Sequence, residues 1–481
     1  MENKNFRDFG LDESILDAID KLGYSEPTDV QQKVIPLALQ GKDLIVRSQT
    51  GSGKTAAFGI PVCDKADIEE RRPQVLVLTP TRELCVQVRD DISNLGRLKK
   101  VKCLAVFGKQ PYQDQVRALK QRTHVIVGTP GRTLDHIERG TLDLSGIKHF
   151  IIDEADEMLK MGFIDQVEAI MKSLPKEKVT MLFSATMPEE IGRICENYMK
   201  DPQTVAISPE NVTVENLKHI FFLAEEDKKF SMLLKLFYSE NPESGIIFLS
   251  TKDRVGNLTS QLKKQGIPCE ALHGGMLQNQ RLDAINRFRR GEFMFLVTTD
   301  VAARGIDVEN ISLIVNYDVP MERERYVHRI GRTARAGGEG KAVTLVSTKE
   351  EKFLKQVEEY IGARLEKGDH PTEEQITEGK EAFLERLKTR PKLKKTKGAE
   401  LNKEITKIYL GAGKKKKLRA GDLVGAITGI PGVTVEDIGI IDIQDNHSYV
   451  DILNKKGMKV IEGLKEKTIK GKTVRIQKAE K

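Results

Sequence analysis

No run of 18 apolar residues occurs anywhere in the 481 positions, so no helix able to cross a bilayer is expected and no membrane partner either. The opening stretch, Met1–Gly10, is charged and lacks an apolar segment, so it does not read as an export signal. Cysteine is scarce: Cys63, Cys85, Cys103, Cys195 and Cys269 are the five, and no two stand in CxxC spacing. An odd set without that spacing argues against a zinc site and for a reducing, cytoplasmic setting, with the thiols acting as small buried hydrophobes. What the chain does have is 39% hydrophobic and 31% charged residues. That is enough to bury cores for about three domains of roughly 150 residues each.

Charge is unevenly spread. The net is +7, yet Arg386–Arg419 holds 14 Lys or Arg against Glu400 and Glu404, which leaves the remainder mildly acidic. A basic block on an acidic body suits a polyanion partner, and a solubilising linker would look the same.

Short apolar runs recur at Asp43–Arg47, Gln74–Thr79, His124–Val127, Phe150–Ile152 and Thr180–Phe183, then at Gly245–Leu249, Phe293–Val297, Leu313–Asn316 and Ala342–Val346. Mixed-charge helical stretches separate them. This alternation predicts an α/β chain with two parallel-sheet domains, 1–205 and 206–370. Residues 371–403 read as a basic helical and flexible linker. The tail, 404–481, has short runs at Lys407–Leu410, Gly439–Ile443, Ser448–Leu453 and Thr473–Gln477, with helix-like segments Ala420–Thr428 and Met458–Lys467. The order β-α-β-β-α-β is ferredoxin-like, the α+β pattern of an RNA-recognition-motif (RRM) domain. Ligands of open α/β sheets bind at the carboxyl ends of strands, so the polar strings after the runs are where chemistry is sought.

Ser48-Gln49-Thr50-Gly51-Ser52-Gly53-Lys54-Thr55 follows a run and opens a helix, the context of a phosphate loop. Its glycines let the backbone approach phosphate, Lys54 would reach the β- and γ-phosphates, and Thr55 would bind Mg²⁺. Asp153-Glu154-Ala155-Asp156 ends an apolar run, where carboxylates are costly unless they meet a cation. Asp153 fits as the Mg²⁺ partner and Glu154 as the base for the attacking water. Arg332 and Arg335 would offset charge developing on the γ-phosphate; on a helix they would share a face. Surface arginines contacting RNA phosphate are the competing reading, with Arg329 a candidate.

Together with these, Gly23 to Gln31, Pro80-Thr81-Arg82-Glu83-Leu84, Thr129-Pro130-Gly131-Arg132, Ser184-Ala185-Thr186, Ile247 to Thr251, Gln278-x-x-Arg281, Thr299 to Asp307 and His328 to Arg335 form an ordered set that resembles the DEAD-box RNA helicases of superfamily 2. The resemblance covers about residues 6–346. It implies two tandem RecA-like domains, RNA-dependent ATPase and helicase activity, and ATP with Mg²⁺ as cofactors. It also implies that Phe6 stacks on adenine and Gln31 hydrogen-bonds its edge, with Ser48 to Thr55 and Asp307 completing the nucleotide site. RNA-backbone contacts fall to Thr81, Arg82, Gly108, Thr129, Gly131 and Arg132 in the first domain, and to Thr251, Gln278, Arg281 and Thr299 in the second. Ser184 and Thr186 would couple the two sites. Ala334, Cys85 and Lys109 depart from the family's usual Gly, Ala and Gly.

Tyr409 fits the first aromatic signature of an RNA-recognition motif, whereas the strand around Tyr449 lacks most of the second. Lys414, Lys415, Lys416, Lys417 and Arg419 offer phosphate contacts instead. Core, basic linker and tail together resemble the bacterial DbpA subfamily. That implies local unwinding of RNA duplexes, a monomer, and a tail that binds a hairpin of 23S ribosomal RNA near the peptidyl-transferase centre in the 50S precursor. Two rivals stand beside it: an ATP-gated RNA clamp without productive unwinding, and a translocating DNA helicase.

Overall fold

The computed structural model describes all residues except 1–4, 49–50, 208–216, 304–307, 309–310, 334–339, 390–392, 394–397, 466, 472 and 480–481. The chain divides into two compact units, Met1–Ile207 with Lys397–Lys481, and Ser208–Thr396.

In the first unit, β1 (Leu44–Arg47), β2 (Val75–Leu78), β3 (Cys103–Val106), β4 (Val125–Gly128), β5 (His149–Ile152), β6 (Val179–Ser184) and β7 (Gln203–Ala206) form a seven-stranded sheet in the order β3-β4-β2-β5-β6-β1-β7. Every pairing is parallel. Helices cover both faces, so central strands such as β2 and β4 are buried at every residue and read as unbroken apolar runs. One face packs Val46, Phe58, Val77 and Phe183 and the other Leu76, Ile126, Phe150 and Leu182.

The second unit repeats this plan. β8 (Leu217–Leu223), β9 (Gly245–Leu249), β10 (Cys269–Leu272), β11 (Phe295–Thr299), β12 (Leu313–Asn316), β13 (Gly340–Val346) and β14 (Glu366–Lys367) lie in the order β10-β11-β9-β12-β13-β8-β14. The helix Glu373–Lys388 belongs to this body and not to a linker. Its Phe383 is fully buried and stacks on Phe237 at 5.9 Å.

The tail folds as expected. β15 (Thr406–Leu410), β16 (Ile438–Ile443), β17 (Ser448–Ile452) and β18 (Ile476–Lys478) make an antiparallel sheet in the order β16-β17-β15-β18. The helices Ala420–Thr428 and Gly457–Lys465 close one face around Ile408, Leu423, Val450 and Val460.

Among the described residues no helix is long and apolar enough to cross a membrane. All five cysteines are free, and Cys63 and Cys85 are pushed up to about 12 by burial, which makes them inert packing groups.

Burial also sets an acid limit on stability. It depresses His149 to about 4, with Lys148 and Lys65 adding repulsion, and lowers His136 to about 4. Unfolded histidine titrates near 6.5, so between those values the unfolded chain binds more protons. Stability from neutral His149 is complete above about pH 6.5 and is lost as pH falls towards 4. Urea midpoints of the full chain should decline over that interval, and His149→Gln should flatten the decline. An unchanged pH profile in that variant would refute the assignment.

Candidate nucleotide and RNA site

Ser48 follows β1 and Lys54 opens the helix Lys54–Lys65, the strand-to-helix turn that a phosphate loop requires. Gln49 and Thr50 lie outside the described residues. Gly51 and Gly53 have φ of 84° and 91°, a region that favours glycine. At Gly53 space is short too, since a Cβ would sit 2.5 Å from the Gln31 amide nitrogen. Gln31 donates through Nε2 to the Gly53 carbonyl at 3.2 Å, and Thr28 donates its hydroxyl to the Ser52 carbonyl at 2.8 Å. The Gln31 Oε1 accepts from the Thr28 amide at 3.0 Å. Each end of the Gln31 amide is therefore committed once and keeps one donor and one acceptor position in reserve. Phe6 is 3% exposed and sits edge-on to Phe9 and Tyr24, which leaves little ring face free for a base.

Asp153 follows β5 and is buried; its amide donates to the Leu78 carbonyl at 3.0 Å. Burial raises its pKa, against the pull of the Lys54 ammonium. Its Oδ1 is a buried oxygen with no hydrogen-bond partner among the described residues. A carboxylate oxygen left this way, beside a phosphate-loop lysine, fits a hard cation shared with phosphate. No described cluster of three or more His, Cys, Asp or Glu could hold a metal by itself.

Glu154 has φ +55°, a left-handed conformation costly for a side chain with a Cβ. It caps the helix Ala155–Lys160, and its carbonyl accepts from the Met158 amide at 3.1 Å. The kink turns the chain sharply between Asp153 and Asp156. Asp156 is buried and bound on both oxygens. Oδ2 accepts from the Thr186 amide at 3.1 Å and the Thr186 hydroxyl at 3.0 Å, and Oδ1 from the Glu157 amide at 3.2 Å. The Ser184 hydroxyl accepts from the Asp156 amide at 3.3 Å and donates to the Thr186 carbonyl at 2.6 Å. The Ser184 carbonyl in turn accepts from the Ser48 amide at 3.1 Å. Phosphate loop, acidic motif and Ser184–Thr186 thus form one hydrogen-bonded assembly.

The first-unit RNA candidates converge at the carboxyl ends of β2, β3 and β4. Thr81 caps the helix Arg82–Leu95 by accepting from the Leu84 amide at 3.2 Å. Arg82 lies against Gly108. Arg132 donates to the Gln110 carbonyl and to Gln115 Oε1, both at 3.2 Å. Thr129 caps the helix Pro130–Glu138, and Gly131 is open above it. Lys109 has φ +61°, which accounts for glycine being common there in the family. Sequence reasoning missed Gln110, Gln115 and Tyr112, which brace Arg132 and have no motif signature of their own; the Arg132 guanidinium is 5.7 Å from the Tyr112 ring centre.

In the second unit, Thr251 follows β9, Gln278 opens the helix Gln278–Arg289 after β10, and Thr299 ends β11. Arg281 lies one turn along that helix. Two expectations need correction. The helix Arg323–Ile330 ends at Gly331, so Arg332 stands in the following turn, its amide donating to the Arg329 carbonyl at 3.2 Å, and the helical-face argument for Arg332 and Arg335 does not apply. Arg329 is no surface arginine: it is 2% exposed, forks onto both oxygens of Asp300, and donates to the Asp318 carbonyl at 2.7 Å. Arg335, Ala334 and Asp307 lie outside the described residues.

In the tail, Lys414, Lys415, Lys416, Lys417 and Arg419 are all exposed, on a turn anchored by buried Leu418. The Lys414 amide donates to the Gln444 carbonyl at 2.8 Å and the Lys415 amide to the Asp445 carbonyl at 2.9 Å. Gly413 permits this closeness, since a Cβ there would lie 2.1 Å from the Gln444 oxygen.

Comparison with known proteins agrees with this geometry. Residues 28–194 match the DEAD/DEAH box helicase family, 228–337 the helicase conserved C-terminal domain, and 407–478 the DbpA RNA binding domain. The ATP-dependent RNA helicase DbpA of Bacillus subtilis is 53% identical over 99% of this chain and 100% of its own. The DEAD-box ATP-dependent RNA helicase CshA of Geobacillus kaustophilus is 44% identical over 79% of this chain and 82% of its own. Among solved structures, Saccharomyces cerevisiae Dbp5 bound to RNA and ADP BeF3 matches with TM-score 0.70 and 31% identity, covering 80% of this chain and all of that one. The chain belongs to the DEAD-box ATP-dependent RNA helicases, in the DbpA subfamily, and is an ATPase that acts on RNA.

Proposed function

We propose that this helicase unwinds short RNA duplexes locally and is directed by its C-terminal domain to a hairpin of 23S ribosomal RNA near the peptidyl-transferase centre, in the cytoplasm, as a monomer acting on the 50S precursor. The observation that carries the reading is the exposed Lys414–Lys417 turn and Arg419 on a small domain that matches an RNA-binding family. A helicase core that grips sugar-phosphate backbone carries no sequence information, so an address must come from elsewhere in the chain.

Within the core, Gln31 is the adenine-reading group, through its reserve donor and acceptor. Ser48 to Thr55 wrap the phosphates, Lys54 meets the β- and γ-oxygens, and Asp307 completes the nucleoside contacts. Thr55 and Asp153 would hold Mg²⁺, which neutralises charge on the phosphate oxygens when bound. Glu154 takes the proton of the attacking water. Arg332 and Arg335 offset the charge that develops as the γ-phosphoryl departs. Asp156 passes a change at the phosphates to Thr186 and Ser184, the coupling residues. Thr81, Arg82, Gly108, Thr129, Gly131 and Arg132, with Thr251, Gln278, Arg281 and Thr299, hold the RNA backbone.

Removing 404–481 should leave basal ATPase activity and abolish preference for 23S-derived RNA over a random RNA of equal length; retained preference would assign selectivity to the core. If about six tail cations meet single-stranded phosphates, log K should fall with log salt at a slope near −4, and a flat response would exclude that mode. In a strand-displacement assay on a tailed short duplex, ATP-dependent binding without displacement would favour the clamp.

A further inference from the structure

A second concentration of positive charge lies outside the Lys-rich linker. From Arg97 to Arg122 there are eight Lys or Arg and one acid, Asp114. In the first unit the β16–β17 edge of the C-terminal sheet and the loop after β16 lie against this strip. Along β17, Val450 and Ile452 point into the tail's core, so Tyr449 and Asp451 point away from it, and Asp442 is the cross-strand neighbour of Tyr449. The contacts pair carboxylate with cation. The Arg97 guanidinium is 3.2 Å from Asp451, Lys102 Nζ 2.8 Å from Asp442, and Arg117 Nη1 3.1 Å from Asp445. Lys100 Nζ donates to the Val435 carbonyl at 3.2 Å. Leu98 plugs a small apolar cluster of Leu401, Ile405 and Leu453.

This exceeds a chance surface contact. The Arg97 and Asp451 side chains are only 15% and 6% exposed. Asp451 Oδ1 is buried without a hydrogen-bond partner among the described residues, so its charge depends on the arginine opposite. Lysine and arginine bind carboxylate and phosphate with the same N–H donors, and a strip that seats three carboxylates is suited to successive phosphates. The turn bearing Lys414–Lys417 is hydrogen-bonded to Gln444 and Asp445, next to where Asp445 meets Arg117. RNA gathered by that turn would arrive beside the strip.

We infer that Arg97, Lys100, Lys102 and Arg117 form a phosphodiester-binding surface on the first unit, which Asp442, Asp445 and Asp451 of the C-terminal domain occupy when no RNA is bound. RNA and this edge of the tail's sheet compete for it, and by linkage each weakens the other's hold. This does not depend on which RNA the tail recognises.

The test uses the full chain without nucleotide and a short oligouridine, which carries phosphates and no ribosomal sequence. Asp442→Asn with Asp445→Asn should raise oligouridine affinity about fivefold or more. Lys102→Gln with Arg117→Gln should lower affinity and, combined with the aspartate changes, abolish their gain. Absence of a gain, or a gain that persists in the combined variant, overturns the proposal, because neutralising acids anywhere would then account for it. Hydrogen exchange gives a second readout. Oligouridine should speed exchange across 438–443 in the unsubstituted chain while β15 stays protected; unchanged exchange across 438–443 also overturns it.

Discussion

Glu154→Gln is expected to lower ATP turnover by about 10²–10⁴-fold, the range over which a positioned general base acts. The glutamine is nearly isosteric but cannot accept the proton of the attacking water. Asp153, with its unpartnered Oδ1, and Lys54 remain in place, so nucleotide should still bind. The Asp156 bonds to Thr186 also remain, so ATP should still tighten the grip on RNA. The variant should therefore accumulate as a complex with ATP and RNA, measurable as ATP-dependent retention of labelled RNA with no phosphate release. Turnover within tenfold of the parent would remove Glu154 from the role of base.

Arg329→Met is expected to act on the second unit's stability. It strips Asp300 of a two-pronged partner in a site where both groups are largely withdrawn from water. Breaking such a pair by removing one member costs about 3–5 kcal/mol. It also leaves the Asp318 carbonyl and the Asn316 side chain without a donor they now use. The urea midpoint of this unit should fall accordingly, and Asp300→Asn added to Arg329→Met should recover part of the loss. RNA affinity per folded molecule should change little. A large affinity loss at unchanged stability would return Arg329 to the RNA-contact role first read from its sequence.

Arg329, buried on Asp300 although its motif reads as a surface string, indicates what the sequence carries. The central strands were legible because sheets covered on both faces demand unbroken apolar runs, and Gly245–Leu249 and Leu313–Asn316 appear with the expected bounds. Edge strand β3 was missed, being half-exposed and preceded by a lysine-rich segment. The helix Glu373–Lys388 passed for linker because a single buried ring, Phe383, fixes an otherwise polar surface. Phosphate-loop and acidic motifs are local in the chain, so they and their places after β1 and β5 could be recognised directly. The bonds joining Asp156 to Thr186 span 30 residues and follow only from β5 and β6 lying side by side. The acidic face of the tail was invisible for the same reason: its aspartates acquire meaning only from the cations they meet.

The amide that ties Gln31 to Gly53 also constrains how nucleotides can be told apart. With Gln31 as the proposed adenine reader, base recognition and triphosphate grip would share one hydrogen-bonded part, and rejecting a wrong base would disturb the loop beneath the phosphates. Discrimination among nucleoside triphosphates should then emerge as slower hydrolysis as well as weaker capture, with selectivity built into the timing of the cycle and not only its entrance.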